Sequence, residues 1–594
     1  MVSLNSIEHF FNSVSYKSAL YFALSFITIV GVSLSFQGFD VCDEGLALTV
    51  YQQVFNCPSC VEFNFYRWFS AIVGGIWYLL FPNGGIWSFR ILTVLIFLLS
   101  SFLVFKIFKD YLKPYQIALA VILSAFISDF GFLVFYHNHL TILLYLAIVY
   151  LLHRGIIQRS FWKLIIAGFL TIFCVLSRVP NLTILILTLT FFYPFFSEEH
   201  YWERKQLTLK YVLSYGLGLV IGVVFFLILA NALNHQEALI NSFYSTIGHG
   251  TGSSGNHSLT NLIEVYISSL AIIGIVGLKY TLIGSLFLLS YNLKYKLLRV
   301  ITVVVFAFFF LRFFKGEDIY EVYFFILLSA AIFLLKKKIK LSTKLLSVMA
   351  IMIALVLPLG SDGAIRNMGY ASIWLGFPFF SGVLFSMNSE TIGTFYFKNK
   401  HPRWGIKRQS VLVLFILTIS TYSINKVYKI TNEAYFDKGN RFHKTYEINN
   451  PLANNIYTKQ NRAEIINELL EALDVYVKPN DYMLVYDKMP MLHFLTKTRP
   501  YMYTPWVWVY HGEMFENQIK RAERDIDILP VVVQQKFETI SKFSSPDNTY
   551  MSEGKENNNL YDRKRVKEMN AFLKRNNYEV AWFNDYFNIY VPKN

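Results

Sequence analysis

Apolar runs long enough, or nearly long enough, to cross a bilayer recur along most of this chain: 19–36, 88–105, 115–130, 139–152, 163–177, 181–196, 211–230, 271–291, 300–314, 320–335, 344–359, 371–387 and 411–425. One water-soluble core does not take up thirteen such runs, so the pattern predicts an all-α polytopic membrane bundle of about 13 transmembrane helices. Composition agrees: 54% of the 594 residues are hydrophobic, 18% are aromatic and only 16% are charged. Mean hydropathy is positive, far from the makeup of a soluble globular protein.

The connections alternate in charge, and Lys and Arg hold their loops on the cytoplasmic side. Basic loops carry Lys106, Lys109 and Lys113; Arg154, Arg159 and Lys163; Arg204, Lys205 and Lys210; Lys294, Lys296 and Arg299; Lys336, Lys337, Lys338 and Lys340; and Lys398, Lys400, Arg403, Lys407 and Arg408. The connections between them, 37–87, 131–138, 231–262, 315–319 and 360–370, are poor in Lys and Arg and face outward. With an odd number of spans the N-terminus is cytoplasmic and the C-terminal tail is outside, in the plasma (inner) membrane. Segment 68–81 is apolar but short and carries Gly74-Gly75, so it reads as an interfacial or re-entrant helix. The net charge of +15 is then mostly a topology signal, and nucleic acid is not implied. The first run ends in Ser35-Phe36-Gln37-Gly38 rather than a small-x-small site, so it reads as a retained anchor.

Polar residues return after about residue 430. This divides the chain into 1–429, a multi-spanning unit whose first outer loop is 37–87, and 430–594, a soluble extracytoplasmic α/β domain. In the second unit 463–475 and 564–576 read as helices, 481–487 as a strand, 578–591 as two strands around an Asn-Asp turn, and 545–559 as a polar loop. Trp506, Trp508 and Tyr510 form an aromatic run suited to stacking on sugars or to packing against a membrane surface.

The chemistry concentrates in the first outer loop. Asp40-Val41-Cys42-Asp43-Glu44-Gly45 sets three carboxylates together just past the first run, where each raises the proton affinity of the others and makes a candidate general base. Solvated acidic loop is the bland alternative. Cations at span mouths, Arg90, Arg178, Arg312, Lys315 and Arg366, with Lys279 inside a run, fit a lipid phosphate, or else are snorkelling side chains. His137-Asn138-His139 faces outward as a substrate-site or metal candidate, and ordinary loop histidines are the alternative. The glycine-rich stretch 248–255 lacks the ending of a phosphate loop and reads as a lid or substrate loop, and 357–369 is placed to line a site. Cys42, Cys57 and Cys60 share the first outer loop and permit one disulfide. Cys57-Pro58-Ser59-Cys60 also has the spacing of a redox motif or half a zinc site, with a structural bridge or idle thiols as the default.

An N-terminal span, an Asp-Glu pair in the first outer loop, an in-plane amphipathic stretch, Trp87-Ser88-Phe89-Arg90 opening the second span, many further spans and a soluble outer domain together resemble the GT-C superfamily of glycosyltransferases. Within it the chain resembles protein O-mannosyltransferases and lipid A aminoarabinose transferases, in detail over 15–200 and in architecture beyond; segment 490–500 also looks like the outer domain of bacterial members. The resemblance implies a GT-C-like fold and a hexosyl- or pentosyltransferase that moves a sugar from a polyprenyl-phosphate carrier to a glycan, lipid or protein acceptor hydroxyl, with inversion. It makes Asp43 the base, Glu44 a residue that shapes the site and Asp40 the competing candidate. The chain departs from many relatives in carrying His-Asn-His where they have an acidic residue, with Asp129 slightly early to replace it. Family members divide on a divalent metal. An oligosaccharide polymerase or ligase is the second reading, and a transporter or lipid flippase the third, disfavoured because only Lys279 lies away from the span ends.

Overall fold

The computed structural model describes residues 13–127, 133–251, 259–293, 295–313, 319–385, 391–395, 404–558 and 561–593, and within them most of every apolar run is helical. Helix α1 (Tyr16–Leu34) begins at Ser15, whose hydroxyl accepts from Ser18 N–H and so caps an otherwise unpaired donor. The loop that follows folds as α2 (Asp43–Gln53), a 3-10 helix (Pro58–Arg67) and α3 (Trp68–Leu80) before α4 (Gly85–Phe108). Next come α5 (Pro114–Ile127), α6 (His137–Ile157), α7 (Phe161–Ser177), a second 3-10 helix (Val179–Phe192), α8 (Tyr201–Ala232) and α9 (Gln236–Thr251). Helices α10 (Leu259–Asn292), α11 (Lys296–Phe313), α12 (Ile319–Leu335), α13 (Leu341–Val356) and α14 (Ile365–Phe385) follow. A hairpin of β1 (Thr391–Phe395) and β2 (Trp404–Lys407) then leads into α15 (Arg408–Asn432).

Among the described residues six helical stretches are long and apolar enough to cross a membrane, and α5, α7, α12 and α13 are apolar but shorter. These helices make the chain a membrane protein. Between apolar helices the hydrophobic effect supplies little attraction, so close approach through small residues matters more. A Cβ on Gly168 of α7 would stand 2.2 Å from the Tyr215 carbonyl of α8, and one on Gly218 would stand 2.0 Å from the Ile165 carbonyl.

After α15 the chain turns through the hairpin β3 (Glu433–Ala434) and β4 (Asp437–Lys438), then pairs β5 (Tyr446–Glu447) with β6 (Tyr457–Thr458). The rest is an α/β assembly around a five-stranded sheet in the order β10-β11-β9-β7-β8. Strand β7 (Tyr482–Tyr486) runs parallel to β8 (Arg499–Pro500) and β9 (Val531–Gln535), while β11 (Phe587–Pro592) is antiparallel to β9 and to β10 (Tyr578–Phe583). Helices α16 (Gln460–Tyr476), α17 (Met491–Thr496), α18 (Gly512–Asp525) and α19 (Arg563–Arg575) accompany it.

This C-terminal region rests on the loop between α1 and α4. Met491 N–H donates to the Val41 carbonyl at 3.1 Å, and Phe63 N–H to the Tyr503 carbonyl at 3.2 Å. Arg521 of α18 pairs with buried Glu62 of the first 3-10 helix at 2.5 Å, and Asn241 of α9 donates to the other oxygen of Glu62 at 2.9 Å. Helices, loop and C-terminal region therefore meet at one carboxylate.

Candidate active site

Helix α2 starts where it does because Asp40 supplies its cap. The Asp40 carboxylate accepts from Cys42 N–H and from Glu44 N–H, each at 2.8 Å, and so satisfies donors that the helix leaves open. Gly45 follows because α17 lies against this turn: a Cβ there would stand 2.2 Å from the Met491 nitrogen. Cys42 donates its thiol to the Lys488 carbonyl at 3.0 Å, and Phe39 N–H donates to Asp437 at 3.1 Å. Asp437 is in turn held by Lys444 at 3.0 Å and Thr458 at 2.5 Å. The acidic turn is thus clamped from the C-terminal region on both sides.

Its three carboxylates have three different surroundings. Glu44 is buried and bound in a fork by Arg90 of α4, with Nε to Oε1 and Nη2 to Oε2 both at 2.9 Å. Arg90 also donates to the carbonyls of Ser35, Gln37 and Gly38. A guanidinium has five N–H donors, and these five contacts use all of them. Arg90 thus fixes Glu44 to the loop between α1 and α2. Asp40 is 3% exposed; burial, reinforced by the charges of Asp43 and Glu44, pushes its carboxyl up to about 8. Asp43 is the least buried of the three. Its Oδ2 accepts from the Tyr435 hydroxyl at 2.5 Å, and Tyr435 belongs to the turn between β3 and β4. Asp40, Glu44, Arg90, Gln37 and Tyr435 line a cleft with room for about one water molecule.

A second cluster adjoins the first. Arg67, the last residue of the first 3-10 helix, is 4% exposed. Its guanidinium lies 5.4 Å from the Tyr66 ring centroid and 5.2 Å from that of Tyr136. The Tyr136 side chain is its polar partner, and among the described residues no carboxylate is paired with it. Arg178, just past α7, is 6% exposed and donates to Asn181 at 3.3 Å. Both cations are within electrostatic reach of His137. Tyr136 is within electrostatic reach of both Asp43 and Arg67, which joins the acidic and the basic clusters.

The other expected site residues are scattered. His139 accepts from Tyr136 N–H at 3.1 Å through Nδ1 and so caps α6, with Phe97 edge-on to its ring. The Nδ1 of His137 and the Oδ1 of Asn138 are buried without a hydrogen-bond partner among the described residues. Lys279, Arg312 and Arg366 are exposed on α10, α11 and α14. Lys315, Asp129 and 252–255 lie outside the described residues. Arg67 went unnoticed in the sequence although it is the sole Lys or Arg within 37–87, set between Tyr66 and Trp68, and that isolation was its signal.

A divalent metal finds no matching donor set here. Both oxygens of Glu44 face Arg90, and each oxygen of Asp40 faces a backbone N–H, so these two carboxylates are turned toward donors rather than toward a shared point. Among the described residues no three His, Cys, Asp or Glu side chains converge as metal ligands.

No protein-family model matches the chain, and no curated protein matches it. Among solved structures it is similar to the Archaeoglobus fulgidus oligosaccharyltransferase tethered through a disulfide to an acceptor peptide containing the NVT sequon. The TM-score is 0.43 at 13% identity, over 87% of this chain and 69% of that one.

Proposed function

We propose that this protein is an integral-membrane glycosyltransferase of the GT-C type, which moves a sugar from a polyprenyl-phosphate carrier to an acceptor hydroxyl on the extracytoplasmic side, where the C-terminal region stands. One observation carries the reading: a carboxylate cluster at the start of α2 adjoins two buried arginines, with Tyr136 coupled to both Asp43 and Arg67. A buried cation with no carboxylate paired to it is costly in a protein that never binds an anion; among the described residues Arg67 and Arg178 are both in that state, and a lipid phosphate is the anion that membrane depth supplies.

Asp43 is the base in this reading, because Glu44 is committed to Arg90 and Asp40 is held toward its neutral form. Asp43 takes the proton of the acceptor hydroxyl as that oxygen bonds to the anomeric carbon. The bond from this carbon to the phosphate oxygen breaks, and its electron pair leaves with the lipid phosphate, inverting the centre. Charge grows on the departing phosphate, and Arg67 and Arg178 meet it with donors fixed in place beforehand. No step is routed through a metal.

The test is mass spectrometry of lipids that co-purify in mild detergent with wild type, with R67A/R178A and with D43N. A polyprenyl monophosphate carrying one sugar, present in wild type and D43N and lost from the double variant, is the expected result. A pyrophosphate-linked oligosaccharide replaces the reading with a polymerase or ligase, and prenyl lipid absent from all three overturns it.

A further inference from the structure

Cys57 and Cys60 are joined in a disulfide between residues three apart, with Cα atoms 5.3 Å from each other. As a staple this bridge does little. The chain entropy that a crosslink removes grows with the loop it closes, and this loop has two intervening residues. The segment is already held by other bonds: Cys57 N–H donates to the Gln53 carbonyl at 2.8 Å, and Asn56 donates to Gln53 at 3.0 Å and to Asn480 at 2.9 Å. Further along, Phe63 and Glu62 are tied to the C-terminal region.

The two sulfurs are also unequal. Cys60 is 3% exposed, whereas Cys57 is half-buried and flanked by exposed Asn56 and Ser59. Cys57 precedes a short 3-10 turn that opens on Pro58 and ends at a kink at Val61 (φ -128°, ψ 17°), which leaves Cys57 at the outer edge of the segment. An attacking thiolate therefore meets one accessible sulfur, Cys57, and is kept from the other, Cys60, by burial. The remaining cysteines, Cys42 and Cys174, are buried and unbonded, and burial pushes the Cys42 thiol up.

We propose that Cys57-Pro58-Ser59-Cys60 is a thiol–disulfide exchange site that oxidises dithiols of other proteins at this face of the membrane. An incoming thiolate attacks Sγ of Cys57, the Cys57–Cys60 bond breaks, and Cys60 leaves as a thiolate and takes up a proton. The second thiol of the partner then attacks the partner's sulfur in the mixed disulfide and releases Cys57. The partner ends as a disulfide and the motif as two thiols, so two electrons and two protons have moved to the protein. The inference needs the orientation proposed above, under which this loop faces an oxidising compartment, but none of the transferase chemistry.

The experiment treats the folded protein in detergent with increasing dithiothreitol, alkylates with N-ethylmaleimide and maps labels by mass spectrometry beside a melting curve. The expected result is reduction while the fold is intact, with Cys57 labelled at least about tenfold faster than Cys60 and Cys42 and Cys174 unlabelled. C60S incubated with oxidised glutathione is expected to form a mixed disulfide at Cys57. A bridge that opens only with global unfolding, or a C60S protein whose Cys57 takes no glutathione while still folded, overturns the proposal.

Discussion

The Tyr435 hydroxyl donates to Oδ2 of Asp43 at 2.5 Å, across 392 positions of sequence. Tyr435 is held at φ +57°, a left-handed conformation that costs a bulky residue, and the turn between β3 and β4 maintains it. The contact orients Asp43 from the C-terminal region, which makes Tyr435 a positioning residue. Y435F keeps the ring and loses the hydroxyl. Transfer is expected to fall in kcat by about tenfold to a hundredfold, the cost of a misplaced base, with KM for acceptor and the melting temperature little changed. An unaltered kcat would remove Tyr435 from the mechanism.

Arg90 and Glu44 form a buried fork, with side chains 6% and 1% exposed. Breaking such a pair from one side leaves an uncompensated charge and costs about 3–5 kcal/mol, whereas replacing both partners by apolar side chains removes that charge. R90A is therefore expected to melt well below wild type in detergent, and E44L/R90M to recover the share due to the bare Glu44 charge, while the Ser35, Gln37 and Gly38 carbonyls stay without their donor. A phosphate-binding Arg90 would behave differently, with lipid lost from R90A and the melting temperature kept.

Much of the helical framework was legible because apolar runs and helix periodicity are local properties: run 88–105 lies within α4, and 463–475 within α16. Strand β9 was missed, since Val531-Val532-Val533 has no alternation and gains its identity from pairing with β7 and β11. The acidic turn was visible from Asp40, Asp43 and Glu44 standing together. What divides their roles was not, because Arg90, Tyr435 and the Val41–Met491 contact come from remote segments. The charge of Arg90 was readable in the sequence, and the five acceptor atoms around it were not.

Arg67 is a buried cation with Tyr136 as its polar partner and no carboxylate paired to it among the described residues. On the proposed function that charge is kept for a phosphate at the expense of stability. R67Q should therefore melt no lower than wild type while KM for the donor rises at least about tenfold through the loss of a charge-assisted contact. A variant that loses stability and keeps donor affinity would make Arg67 a packing residue on Tyr66 and Tyr136.

Asp40 gives the pH dependence its sign. Burial, with the charges of Asp43 and Glu44, pushes its folded carboxyl up to about 8, against about 3.9 in an unfolded chain. Between those values the folded state keeps a proton that the unfolded chain has released, so stability falls as pH rises through the window and levels off above it. Melting temperature in detergent is expected to drop from about pH 5 to about pH 8, and D40N to show a shallower slope. The slope is the readout rather than the level, because an Asn at this position still accepts from Cys42 N–H but turns an amide toward Glu44 N–H, which lowers stability at every pH. Equal slopes in the two proteins would mean that Asp40 is already ionised near neutrality, and would return it to competition with Asp43 for the role of base.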